Sequence, residues 1–151
     1  MRRIAVLTGF LVLAMLTTSA AANAQGSRIL SVTRLSDPGL IDVSIAEVSY
    51  DSLSGAISVT GTVSCAAEGV DVYVIDYAAA QTRAGATTTG STYTVSNPCG
   101  ETFSAVIQPD AGGRFLPGRA TVEVAASACS FSCTVEVVRA EVLLIPEPPT
   151  L

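Results

Sequence analysis

The 151-residue chain contains no histidine, no lysine and no tryptophan. Without histidine it lacks the usual general base and the residue on which serine and cysteine triads depend. Without lysine it lacks Schiff-base and Ser–Lys chemistry. All eight cations are arginine, and 13 acids outnumber them. Gripping a phosphate backbone takes a stripe of cations, so nucleic acid is not an expected partner. The chemistry left over is a pair of carboxylates, as glycosidases use. Asp42, Asp51, Glu68, Asp71, Asp76, Glu101 and Asp110 are available for it. Solvated carboxylates are equally expected of any acidic surface, so no catalytic residue is assigned and an enzyme is not expected.

The chain opens Met1-Arg2-Arg3 and continues with an apolar run from Ile4 to Leu16. Small residues follow, ending Ala22-Asn23-Ala24. This is the layout of a secretory signal peptide with an A-x-A cleavage site, so residues 1–24 are expected to be removed. A run of about 13 apolar residues is short of the roughly 20 that a spanning helix needs. The remaining chain of about 127 residues suits one domain. It keeps six arginines against 13 acids, a net charge near −7. No lipobox cysteine or second apolar span follows, and residues 146–151 form a proline-rich tail. The expected location is extracellular, or periplasmic if the source is a diderm bacterium, with no stable membrane anchor.

Helical periodicity is absent after the signal. Residues 25–39 read as a leader with an edge strand from Ile29 to Leu35 and a turn at Ser36-Asp37-Pro38-Gly39. In the next segment Ile41, Val43 and Ile45 alternate with polar residues, then the phase slips to Val48 and Tyr50, which predicts a bulge near Glu47. Asp51 to Gly55 is a turn. Ala56 to Cys65 is the clearest strand, with Ile57, Val59, Val63 and Cys65 on one face and hydroxyls on the other. Val70 to Tyr77 is apolar on both faces. Ala78 to Thr89 reads as a long loop or weak edge. Short strands follow at Ser91–Ser96, beyond which Asn97-Pro98 turns the chain, and at Glu101–Ile107. A loop spans Pro109 to Gly118, and Ala120–Cys129 and Cys133–Leu144 are the last strands. Seven or eight short strands with Gly and Pro punctuation indicate an all-β, immunoglobulin-like antiparallel β-sandwich over residues 40–145. A barrel is the runner-up.

Four cysteines in an exported small domain read as two disulfides. A metal site would want C-x-x-C pairs or histidine, and neither exists. Cys129 and Cys133 flank three residues, a common hairpin loop length. Opposite positions on a hairpin lie within disulfide reach. The same register sets Glu123 across from Arg139, a favourable cross-strand pair. Cys129–Cys133 is therefore the first choice, leaving Cys65 with Cys99, although four cysteines allow three pairings. Calcium would have to gather turn acids such as Asp51, Glu68, Glu101 and Asp110, but no D-x-D-x-D-G loop is present. No metal or cofactor is expected.

Several pieces carry a resemblance: Ile57-Ser58-Val59-Thr60-Gly61-Thr62-Val63-Ser64-Cys65, Val70-Asp71-Val72-Tyr73-Val74, Gln81 and Arg83, Cys99, and Phe115-Leu116-Pro117-Gly118-Arg119-Ala120-Thr121-Val122-Glu123-Val124. With these, residues 43–144 resemble a family of secreted actinobacterial proteins that carry an immunoglobulin-like domain of unknown function. The chain departs from that family in its Cys129–Cys133 pair and its lack of tryptophan. The resemblance implies a fold and no activity. The architecture is also similar to that of neocarzinostatin-type apoproteins, which likewise carry a short disulfide-closed hairpin.

Three roles fit this reading. A binding module would use the spare apolar face of the Val70–Tyr77 strand, with Tyr73, Ile75 and Tyr77 as contact residues. A small-molecule carrier would need a cleft between the sheets, lined by residues such as Tyr93 and Phe103. An envelope component would need no specific ligand. The partner, protein or small molecule, is not named by any motif.

Overall fold

A computed structural model describes residues 27–36, 39–97 and 99–146. The signal segment, Asp37-Pro38, Pro98 and most of the tail lie outside the described residues. Eight strands are present: β1 (Arg28–Arg34), β2 (Ile41–Asp51), β3 (Ala56–Cys65), β4 (Asp71–Arg83), β5 (Ala86–Asn97), β6 (Thr102–Ile107), β7 (Gly118–Cys129) and β8 (Cys133–Leu144). They form two antiparallel sheets, ordered β1-β8-β7-β4-β5 and β2-β3-β6. The neighbours β4-β7-β8 on one sheet and β2-β3-β6 on the other match the C-F-G and A-B-E strands of an immunoglobulin-like sandwich. The leader strand β1 is part of this sandwich, added to the edge of β8.

Alternation explains the core. Ile57, Val59 and Val63 of β3 and Phe103, Ala105 and Ile107 of β6 are buried from one sheet. Val122, Val124, Ala126, Val138, Ala140 and Val142 are buried from the other. The Phe103 ring crosses Gly61 closely enough that a Cβ there would sit 2.4 Å from Cζ and 2.0 Å from Ser44 O. Only glycine fits between them. The expected slip in β2 is real, with register shifting between Ile45 and Glu47.

Ala78 to Thr89 is a hairpin, not a loop. β4 runs through to Arg83, turns at Ala84-Gly85, and β5 begins at Ala86. Both turn residues have positive φ, 48° and 82°, as a two-residue hairpin turn of the type I′ kind requires. Gly90 is a close-approach site. A Cβ there would lie 2.2 Å from Gln108 O, where β5 meets the end of β6 and closes the sandwich.

The end of the sandwich holding the β6–β7 loop is sealed by polar side chains. Phe115 is fully buried as a plug, and Tyr50 Oη donates to its carbonyl at 3.0 Å. Gln81 is buried and clasps the same loop. Its Nε2 donates to Leu116 O at 2.7 Å and Arg119 O at 3.2 Å, and its Oε1 accepts from Leu116 N–H at 2.8 Å. Arg114 reaches back to the carbonyls of Ser52 and Leu53.

Both disulfides staple the opposite end. Cys129–Cys133 closes the β7–β8 hairpin with a Cα separation of 4.0 Å, and Cys65–Cys99 ties β3 to the β5–β6 connection at 5.5 Å. Cys65 packs against the core as expected, whereas Cys99 is exposed. Cys129 lies across from Asp71, and Val70 O lies 3.2 Å from Cys99 Sγ, so the two bridges share one end.

Candidate functional site

The proposed contact residues Tyr73, Ile75 and Tyr77 do not share a face. Register shifts between Val72 and Val74, making Tyr73 the extra residue of a bulge. Tyr73 is 54% exposed, whereas Ile75 and Tyr77 are fully buried. The Tyr77 ring meets Phe103 at 5.5 Å between centroids, and its Oη shares a 3.0 Å hydrogen bond with Thr94 Oγ1. Burial pushes the Tyr77 phenol above its ordinary pKa, and the Thr94 contact partly opposes this.

The exposed apolar face lies one residue out of phase, and more of it comes from β5 and β8. Ladder register sets Val135, Ser127, Val74 and Val95 in one row across β8, β7, β4 and β5. Val137, Ala125, Asp76 and Tyr93 form the next row, then Arg139, Glu123, Ala78 and Ser91. All point away from the core, because their strand neighbours Glu136, Ala126 and Ile75 are buried. Val95 is 69% exposed, Tyr93 65% and Val135 54%. Four strands spaced about 4.8 Å apart give this surface a width of roughly 14 Å. Fully exposed Phe131 caps the adjoining hairpin. The first two rows face solvent near the disulfide end; the first is valine-rich around Ser127, and the second sets exposed Asp76 between Ala125 and Tyr93. The third is polar, with Arg139 donating to Glu123 at 2.8 Å in the predicted cross-strand pair.

The surface is firm. Its centre is Val74, Ser127, Ala125 and exposed Asp76, and strands on both sides hold β4 and β7. It is shallow: the concavity by Ala78, Ser91, Asp110 and Arg139 is open to solvent along its length.

The remaining sequence candidates disperse. Phe103 is buried behind the five-stranded sheet, and Tyr93 lies on its outer side, so the two line no common cleft. Asp51 and Asp110 sit at the Phe115 end, where Asp51 accepts from Leu53 N–H and Ser54 Oγ, and Asp110 accepts from Thr89 Oγ1. The Ser54 bond, and then that from Leu53, hold the Asp51 carboxyl below its ordinary pKa. Glu68 and Glu101 sit at the disulfide end, about 30 Å away along β3. Among the described residues, no three acids or cysteines group as metal ligands.

One buried acid escaped sequence reasoning. Glu136 of β8 is 1% exposed. Arg34 Nε lies 3.1 Å from its Oε1, and Arg34 also pairs with Asp42. Burial raises the Glu136 carboxyl above its ordinary pKa, the Val43 amide and Arg34 oppose that, and Asp42 adds to it. Neither carboxylate oxygen has a well-directed hydrogen bond. Alternating residues predict that Glu136 faces inward, so the signal was the parity of β8 itself.

Comparison with protein-family models, curated proteins and solved structures gives no match. No helix among the described residues is long and apolar enough to cross a membrane.

Proposed function

We propose that this chain is an exported, non-enzymatic binding module that contacts a protein partner through the outer face of its five-stranded sheet. One observation carries this reading: Val135, half-buried Val74 and Val95 share a row, Tyr93 lies in the next, and Val135, Val95 and Tyr93 are exposed. A sandwich strand needs one apolar face for its own core, and the second face is ordinarily polar. A surface of exposed valine and tyrosine around the single acid Asp76, with a polar rim, has the mixed composition of a protein contact. Tyr73 at the bulge extends it, and Arg139–Glu123 supplies the rim.

The two disulfides support an oxidising destination. They also hold the contact surface in one shape before binding, which limits the ordering cost of association. The motifs that carry the family resemblance serve the fold: Gly61 admits Phe103, Phe115 plugs the core, and Gln81 clasps the loop.

The test is capture from the host's secreted and envelope proteins by the wild type and by a Tyr73→Ser/Tyr93→Ser/Val95→Thr variant. A protein retained by the wild type and lost by the equally stable variant is expected. Equal retention by both rejects this face.

A further inference from the structure

β1 is bound to the sandwich in an unusual way. Six of its seven residues are exposed, Leu30 and Val32 among them. Of its apolar side chains only Ile29 packs, half-buried, against the core, and main-chain pairing with β8 does most of the holding, from Arg28 opposite Leu143 to Arg34 opposite Val138 with a register shift between Ile29 and Ser31. The side-chain ties are few and specific. Ser36 Oγ accepts from Val137 N–H at 2.9 Å, and Ser27 Oγ accepts from Ile145 N–H at 3.3 Å. Arg34 faces the buried Glu136 and the exposed Asp42.

We propose that β1 is an exchangeable strand, and that the edge of β8 accepts the β1 of a second copy of this chain. Removing β1 uncovers little apolar surface, so opening is cheap compared with loss of a core strand. β8 stays in place because its other edge is paired with β7 along its whole length. The vacated edge then offers unpaired main-chain groups, the template for strand addition. Charge complementarity selects the occupant. Arg34 is the cation that answers both Glu136 and Asp42, and another extended peptide must carry an arginine at that same register. The β1 of a second copy reproduces every tie, so the exchange changes only the connection to β2.

The experiment places cysteines at Thr33 and Arg139, which face one another across the β1–β8 ladder. Thr33→Cys/Arg139→Cys protein is incubated at rising concentration with an isotope-labelled copy, then oxidised and run on a non-reducing gel. Peptide mapping checks the native bridges. Covalent dimers containing one chain of each label, increasing with concentration, are expected. Cross-links confined within single chains at every concentration overturn the proposal, including when a dimer is seen by native mass spectrometry, because that dimer pairs intact edges. A second measurement needs no new cysteine: hydrogen exchange over residues 28–34 of the wild type and Arg34→Ala. Exchange faster than in β7, and accelerated about tenfold by Arg34→Ala, is expected. Protection equal to that of β7, or an unchanged rate in the variant, contradicts it.

Discussion

Tyr73 and Tyr77 share strand β4 and lie on opposite sides of the sheet, one at an exposed bulge and the other sealed against Phe103. Their substitutions should therefore separate. Tyr77→Ser empties a core site and loses the Thr94 contact, at a cost of about 3–5 kcal/mol. Tyr73→Ser should change stability by less than about 0.5 kcal/mol. Denaturant titration of the two variants checks this, and equal destabilisation would contradict the bulge.

The Gln81 clasp makes a second prediction. Gln81→Leu keeps the bulk and leaves the Leu116 and Arg119 main-chain groups without their partner. A loss of about 2–3 kcal/mol is expected, at the upper end for unsatisfied buried groups. The β6–β7 loop, residues 108–117, should become the first site of limited proteolysis, read by mass spectrometry of the fragments.

Removal of the two disulfides should have unequal effects. Cys65–Cys99 spans 34 positions and Cys129–Cys133 only 4. In the chain-entropy account, the paired Ser variants lose about 4 and about 2 kcal/mol respectively. Thermal unfolding of each variant tests the order, and the reverse order would contradict it.

Glu136 sets a dependence on pH. Its carboxyl titrates above the ordinary value of 4.5 in the folded state, chiefly because it is buried. The folded protein then holds a proton that the unfolded chain has released. The stability this contributes is full below the unfolded pKa and is lost as pH rises through the folded one. Glu136→Gln removes that pH dependence, so the stability of the variant relative to the wild type should rise as pH climbs through the folded pKa and be constant below pH 4.5. A difference that stays constant across pH would contradict the buried-acid reading.

Much of the fold was legible where one residue type alternates with another. The run from Ala56 to Cys65 shows its inward face directly, the slip before Val48 betrays the β2 bulge, and the three residues between Cys129 and Cys133 fix the register that brings Glu123 to Arg139. The β4–β5 hairpin was hidden. Ala84-Gly85 lacks the Asn-Gly signal of its turn, and the Ala and Thr residues on either side pattern weakly because their outer face is open. Val72-Tyr73-Val74 is apolar throughout, so nothing in it marks the bulge that divides the tyrosines. Tyr73, Ile75 and Tyr77 therefore read as one face in the sequence, whereas the bulge turns Tyr73 out and Ile75 and Tyr77 in, and exposed Tyr93, Val95 and Val135 come together only through cross-strand register.

The most direct test of the outer-face account is the affinity of the captured partner for the wild type and for the Tyr73→Ser/Tyr93→Ser/Val95→Thr variant, with thermal stability measured in parallel. The account predicts a loss of roughly 100-fold or more, or about 2.7 kcal/mol, with the unfolding midpoint unchanged. Undiminished affinity in a folded variant would place the contact elsewhere on the molecule.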